Sequence, residues 1–379
     1  MAHLNLFHRL FRVTIVSIFI LSIPAFAGVL PLFNPENVIR SGNSFYIKAD
    51  VFLANDPESL KDLFSGFKGK LHQKSGKNLA LANGRFDLGY TDKHFGYIGY
   101  TCREEIFMRA PQDTVELLYL TTNKKDLKVG KHYDIYLELK AFQVQGLTFA
   151  NKWQIYDYNG WKLSLGGGAE LLYGNDMQDG YVKGNGIVTS KKDYNFYATS
   201  DYTYTHNYLY KYSVNSATAY GYSSYLSLYL HKNKLSFLLL SNDLLGKLYW
   251  DKVPYSIVKL NSNNKTFDSN GYVRYNPTIS GKEGYHNYTQ TLSQKWRFEV
   301  NYAFSNSSLS LGSDYIYANY LPYINYNYHM RKNLDLKIGY GLRFNSVNLG
   351  VRYKNYTISI RSDDLLHPTA LNLSLGARF

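Results

Sequence analysis

The chain is poor in cysteine: Cys102 stands alone in 379 residues. That excludes a disulfide framework and any zinc site built on cysteines. Proline is scarce too, with 9 in the whole chain, so long extended elements are not interrupted. No run approaches the roughly 18 apolar residues of a membrane helix. With a mean hydropathy of -0.33, a multi-span helical membrane protein is excluded. Acids are outnumbered, 29 against 42 Lys plus Arg, for a formal charge of +13. Such a surplus suits anionic partners or surroundings. Gly-x-Ser-x-Gly, His-Glu-x-x-His and phosphate-loop motifs are all missing, so no familiar hydrolase or nucleotide site is spelled out. No metal site and no cofactor are expected.

What is present is aromatic. Tyr occurs 38 times and Phe 21 times, beside 29 Gly. Content this apolar excludes wholesale disorder. The N-terminus carries Arg9 and Arg12, an apolar core over 13–23, Pro24, and then Ala25-Phe26-Ala27. Positive start, short apolar middle and small residues before the cut make a secretory signal peptide. The expected division is a signal peptide over 1–27, cleaved after Ala27 with Ala25 and Ala27 at positions −3 and −1, and one barrel domain over 28–379.

The remainder alternates with a period of two. Over 334–344, Leu334, Leu336, Ile338, Tyr340, Leu342 and Phe344 alternate with Asp335, Lys337, Gly339, Gly341 and Arg343. Val347, Leu349, Val351 and Tyr353 repeat the pattern, as do Tyr356, Ile358 and Ile360, and then Leu371, Leu373, Leu375 and Phe379. Each strand so written has one apolar and one polar face. The joints Asn345-Ser346 and Lys354-Asn355 have hairpin length. Strands of about ten residues, abundant aromatics and charge on the polar side of strand after strand favour a membrane barrel over a soluble sandwich. Only a closed barrel satisfies every backbone group in lipid without an edge.

The ending Leu373-Ser374-Leu375-Gly376-Ala377-Arg378-Phe379 resembles the closing strand of bacterial outer-membrane β-barrel proteins as a class. It matches no particular family. The resemblance implies an outer-membrane location in a Gram-negative cell envelope. It further implies that Leu373, Leu375 and Phe379 are read by the barrel-insertion machinery.

The expected fold is all-β: a closed antiparallel transmembrane barrel of about sixteen strands, within bounds of fourteen and eighteen. Strands are expected at 113–121, at 131–142 with a weaker one near 146–157, and at 161–173 with a weaker one near 181–190. Residues 261–290, rich in Asn, Ser, Gly and Lys, read as a loop with one strand inside it near 271–279. Asp56-Pro57 followed by Leu60, Leu63, Phe64 and Phe67 reads as a short helix near 57–67 with Asp56 as N-cap and Pro57 at its first position. It suits a plug in the lumen or a helix on the rim.

Charges on a lipid face cost about 2–4 kcal/mol each at the midplane. Lys337, Arg343, Arg352, Arg361, Arg378, Arg297 and Glu299 are therefore expected to point inward and to line a pore. Glu116, Glu138, Lys140, Lys162 and Glu170 sit at similar phase. The expected function is a porin-like channel for small anionic or sugar-like solutes, selecting by charge and size. A non-conducting barrel with a structural, surface-binding or polysaccharide-export role is the first alternative. A lipid hydrolase is the second, although the sequence lacks the His-x-Ser pair shown by lipid A deacylase barrels. Asp363-Asp364 with His367 reads as a turn rather than a catalytic pair, and the enzyme reading is the less favoured. Expected partners are outer-membrane lipids and lipopolysaccharide, the insertion machinery and small solutes. Export argues against nucleic acid, and oligomeric state is not legible.

Overall fold

A computed structural model describes residues 29–39, 42–206, 214–262, 265–267, 273–275, 278–331 and 333–379. The expected signal peptide, with Ala25 and Ala27, lies outside them. So do Tyr208, Tyr210 and Tyr212, the end of a Tyr-rich run that begins at Tyr194.

The alternation becomes strand. The elements run α1 (Pro35–Val38), β1 (Ser44–Asn55), α2 (Leu60–Phe64), β2 (Lys77–Asp92), β3 (Gly96–Pro111), α3 (Gln112–Thr122), β4 (His132–Tyr158), β5 (Trp161–Ser190), β6 (Asp193–Tyr204), β7 (Ala219–Lys232), β8 (Leu235–Asn242) and β9 (Lys247–Asn261). They continue as β10 (Lys265–Phe267), β11 (Val273–Tyr275), β12 (Ile279–Thr291), β13 (Lys295–Ala303), β14 (Ser307–Ile316), β15 (Asn319–Arg331), β16 (Leu334–Gly341), β17 (Ser346–Tyr353), β18 (Tyr356–Ser362) and β19 (Ala370–Arg378). All but β10 and β11 join one 17-stranded sheet. It closes where β19 pairs antiparallel with β1, in register from Tyr46 opposite Arg378 to Ala54 opposite Ala370. The backbones of Phe45 and Phe379 exchange both hydrogen bonds at 2.9 and 3.0 Å.

Three strands are broken in the middle. β6 and β7 follow end to end along β5, β8 and β9 along β7 and β6, and β12 and β13 along β9 and β8. Counted around the circumference, with each broken strand taken as one, the 17 segments make fourteen staves, inside the expected bounds. The start of β1 at Ser44 and the last residue, Phe379, lie at one end, here the terminal end, with the short turns after β2, β4, β7, β13, β15 and β17. The long connections after β1, β3 and β18 lie at the other, the loop end. The wall is uneven in height: β4 and β5 have 27 and 30 residues, while β16, β17 and β18 have 8, 8 and 7.

Along the terminal half the outer face is apolar and bare. Ile98, Leu147, Phe149, Trp153, Leu171, Val300, Leu349 and Ile358 are all exposed. The inner face carries Thr148, Glu170, Ser223 and Asp314, each buried at 0% exposure. That is the arrangement of a membrane-spanning barrel.

Several local expectations are corrected. Residues 113–121 form helix α3, not a strand. Val115, Leu117 and Tyr119 fit a period of two, but Val115, Leu118, Tyr119 and Thr122 fit 3.6. Docking decides: Thr114 Oγ1 donates to the Asp134 carbonyl at 2.9 Å and accepts from the Tyr136 N–H at 2.8 Å. The pairs 131–142 with 146–157, and 161–173 with 181–190, are each one continuous strand. The loop expected over 261–290 contains strand β12 from Ile279 to Thr291. The short helix forms at the loop end over Leu60–Phe64, with Ser59 as its N-cap, not Asp56. Asp56 is instead held by Leu79 N–H and by cations.

Candidate functional site

The site is the lumen, and it is built from three layers. The first is a chain segment outside the sheet. Residues 29–39 run inside the barrel, and Val29, Leu30, Leu32 and Phe33 are at most 4% exposed. The wall holds this segment with its own side chains. Asp314 accepts the Val29 and Leu30 N–H groups at 3.2 and 2.8 Å. Asn242 accepts the Phe33 N–H at 2.7 Å and donates to the Phe33 carbonyl at 2.9 Å. Arg378 donates to the carbonyls of Asn37 and Val38 at 2.9 and 2.8 Å. Gly166 leaves room for it: a Cβ there would stand 2.9 Å from the Pro35 side chain. The triple glycine of β5 is thus a matter of close approach, as expected of glycines inside a strand.

The second layer is a buried ionic network that crosses the lumen. Arg85 grips Asp87 through two nitrogens at 2.8 and 2.7 Å and reaches Glu170 at 2.8 Å. Arg103 bridges Glu170 and Asp243, both at 2.6 Å. Lys295 joins Asp243 at 2.6 Å to Glu105 at 2.7 Å. Ser223 donates to Asp243, and Tyr317 and Asn83 donate to Glu105. Every carboxylate and cation of the set is buried. Desolvating so many charges is tolerable only because every carboxylate of the set is paired with a buried cation. Asp243 is the hub. It lies in the 243–246 break between β8 and β9, with its backbone in the left-handed region at φ 57°.

The third layer is the vestibule toward the loop end. Antiparallel partners share a face, so the lumen side can be followed upward pair by pair. Val144 opposite Gly174 leads to Lys140 opposite Asp179, Glu138 opposite Tyr181 and Tyr136 opposite Lys183. Across β6, β9 and β12 the same face carries Asp201, Ile257, Lys259 and Lys282. Lys183, Lys259, Lys282 and Asp201 are exposed there. Between network and vestibule lies an apolar collar of Phe142, Leu172, Met177, Leu248, Trp250 and Val253, packed at the level of the strand breaks.

The seven expected pore residues are all on the inner face or its ends, yet they are divided among different tasks. Arg297 pairs with Asp314 at 2.6 and 2.7 Å and donates to the Leu30 carbonyl at 3.0 Å. It and Arg378 therefore hold the inner segment. Glu299 accepts from the Tyr323 hydroxyl at 2.7 Å. Arg343 pairs with Asp56 at the loop end at 2.7 Å, and Arg352 pairs with Asp335 at the terminal end. Lys337 and Arg361 have no carboxylate partner among the described residues, and Arg361 is buried over the Tyr323 ring. The seven do not form one wall. The network residues Arg85, Asp87, Arg103, Glu105, Asp243 and Lys295 were missed as a group. Their signal was the polar phase of two strands, Arg85-x-Asp87 and Arg103-x-Glu105.

Other chemistry is local. Asp363 accepts the Thr369 and Ala370 N–H groups, and Asp364 those of Leu366 and His367, as the turn reading required. His206 Nδ1 lies 3.2 Å from Asp176, and Thr203 Oγ1 lies 3.1 Å from His286 Nε2. Among the described residues no group of three or more His, Cys, Asp or Glu could hold a metal ion. Glu58, in the connection after β1, is buried with one oxygen on the Gly69 N–H at 3.2 Å. Burial pushes its carboxyl up to about 8, against that hydrogen bond.

No family model and no curated protein matches the chain. Among solved structures it is similar to a "TodX deltaS2S3 mutant monoaromatic hydrocarbon channel", at 10% identity over 89% of each chain, with a TM-score of 0.41. A Pseudomonas aeruginosa FadL homologue matches at 8% identity over 89% of this chain and 86% of that one, with a TM-score of 0.19. Pseudomonas aeruginosa OpdK with vanillate matches at 9% identity over 89% and 98%, with a TM-score of 0.19.

Proposed function

We propose that this chain is an outer-membrane channel, closed at rest. One observation carries the reading: the interior of the barrel is blocked by a segment that is not part of its wall. Barrels of eight strands are filled by their own side chains, whereas sixteen or more leave a water channel. Fourteen staves enclose more than their own inward side chains fill, and the surplus is taken up by residues 29–39 and their partners. A segment tied to the sheet at one end, and held by hydrogen bonds, can leave. A wall collapsed on itself cannot.

In this reading the polar lumen is the path, and the Asp243 network with the inner segment is the gate. The solutes are small and anionic. Lys140, Lys183, Lys259 and Lys282, with Arg109, outnumber Asp134, Glu138, Asp179 and Asp201 on the vestibule face, and such a field concentrates anions. Sugars are the weaker expectation: the Tyr rings from Tyr194 to Tyr212 that would stack on them lie partly outside the described residues. The chain would be exported with cleavage after Ala27 and delivered through Leu373, Leu375 and Phe379 to the insertion machinery. Its positive surplus would meet lipopolysaccharide phosphates at the surface.

The second reading is a non-conducting envelope barrel, favoured by the completeness of the network. Planar-bilayer conductance of three proteins separates the two. These are the exported chain, the same chain without residues 29–39, and Asp243→Ala. The channel reading expects small or rare openings for the first and large stepwise conductance for the second. Asp243→Ala leaves Arg103 and Lys295 buried without their shared partner, at a cost of about 3–5 kcal/mol, and should open more often. Three silent, correctly folded proteins would refute the channel and leave the structural barrel.

A further inference from the structure

The low side of the wall carries a groove on its outer face. Five neighbouring strands, β15 to β19, turn Tyr326, Ile338, Leu349, Ile360 and Leu373 outward in register, with Ile358 one pair further toward the terminal end. Together with Tyr328 they frame a hollow of about 810 Å³. A second hollow of about 410 Å³ shares Val351, Ile358 and Leu375 with the first and extends it over β1 and β2 to Ile47 and Phe86. The first volume lies high in the range of about 300–1,000 Å³ typical of small-molecule sites. The hollows lie in the terminal half of the apolar band and run down to Tyr353 and Tyr356 at its edge.

Charge stands at that edge. Arg331 pairs across the sheet with Leu334, Leu334 with Tyr353, and the Lys354 N–H donates to the Asn333 carbonyl at 2.8 Å. Arg331 and Lys354 therefore sit on neighbouring turns at one level. Both are exposed. Lys354 lies over the Tyr353 ring at 5.3 Å, and neither has a carboxylate partner among the described residues. Arg352, between them in the wall, is neutralised by Asp335. The groove thus has an apolar floor of acyl-chain character and two free cations at the water boundary.

We propose that this groove is a binding site for one anionic glycerophospholipid of the leaflet at the terminal end. Its acyl chains lie along Ile338, Leu349 and Ile358, and its phosphate and charged headgroup sit between Arg331 and Lys354. The proposal rests on the lipid-facing outer surface and not on conductance, so the failure of one leaves the other standing.

The test is native mass spectrometry of the purified full-length barrel in detergent, titrated with dioleoylphosphatidylglycerol or dioleoylphosphatidylethanolamine. One phosphatidylglycerol should be retained per chain, with phosphatidylethanolamine held more weakly. Arg331→Glu with Lys354→Glu should weaken retention at least about tenfold, since each basic residue near a membrane surface contributes measurably to anionic lipid attraction. Ile338→Trp with Ile358→Trp fills the floor with residues that lipid tolerates, and should displace the lipid without unfolding the barrel. Equal retention by the native chain and both double variants would overturn the site. Equal affinity for the two lipids would overturn its headgroup chemistry. A lipid-free dimer, cross-linked through cysteines placed at Leu349, would assign the groove to a second copy instead.

Discussion

Strand β4 passes through two surroundings, and comparing them explains most of the molecule. Its odd-numbered residues lie on one face from Tyr133 to Trp153, up to the bulge at Gln154/Tyr156. In the terminal half these are Leu147, Phe149 and Trp153, all exposed. In the loop half they are Tyr133, Ile135, Leu137 and Ala141, none more than 7% exposed. The face has not changed character; its cover has. Below, lipid covers it. Above, the cover is α2, α3 and the neighbouring strands, through Leu63, Val115, Leu118, Val182, Val258 and Leu260. Glu104, Gln143 and Asp176 share that face between the two zones, as suits a boundary at headgroup level. The lesson is that one strand pattern serves a membrane wall and a water-exposed rim, provided protein replaces lipid where the membrane ends.

Trimming the same side chain in both zones should give very different losses. Leu137→Ala should cost about 2–5 kcal/mol, because rigid neighbours leave a cavity. Leu147→Ala should cost less than about 1 kcal/mol, because lipid flows into the space. Urea unfolding in vesicles, followed by tryptophan fluorescence, measures both; equal losses would contradict two different covers. A charge tests the same zones differently. Leu147→Arg should cost about 2–4 kcal/mol near the bilayer midplane, whereas Lys183→Leu, on the wet vestibule face, should stay within about 0.5 kcal/mol.

A smaller effect concerns the loop end alone. The buried Glu58 carboxyl, raised to about 8, keeps its proton at neutral pH when folded and loses it when unfolded. Its contribution is fully present below its ordinary range and is lost as pH rises through about 8. Proteolysis of the 56–76 connection should therefore quicken between pH 6 and pH 9, as bracketed by that value, and Glu58→Gln should flatten the change. A rate that falls with pH would refute a protonated Glu58. Smallest of all, Lys183→Glu with Lys259→Glu should shift the reversal potential of an opened channel toward cations without altering stability.

Much of the fold was legible because lipid imposes a simple rule on each strand separately. From Leu334 to Phe379 the apolar phase is unbroken, and every strand there was found in place. Legibility failed where protein replaced lipid. Strand β12 reads Gly281, Lys282, Glu283, Gly284, Tyr285, with polar residues on both faces, because neither face meets hydrocarbon. Helix α3 has an apolar run compatible with either period, and only its landing on β4 chose one. The site was legible in direction but not in partnership. The inward phase of Arg297, Arg343 and Arg361 follows from alternation. Nothing local distinguishes Arg297, which holds Leu30, from Arg361, which holds no carboxylate.

The sequence by itself determined the class of architecture and the sidedness of each strand, since the cost of placing charge in lipid acts residue by residue. It also carried the closing strand, whose alternating end completes the sheet against β1. Only the tertiary structure decided how the interior is filled. Asp243 reaches Arg103 across 140 positions, and Asp314 reaches Leu30 across 284. Such pairings depend on which staves face one another across the lumen, and that is set by closure of the whole barrel rather than by any local pattern.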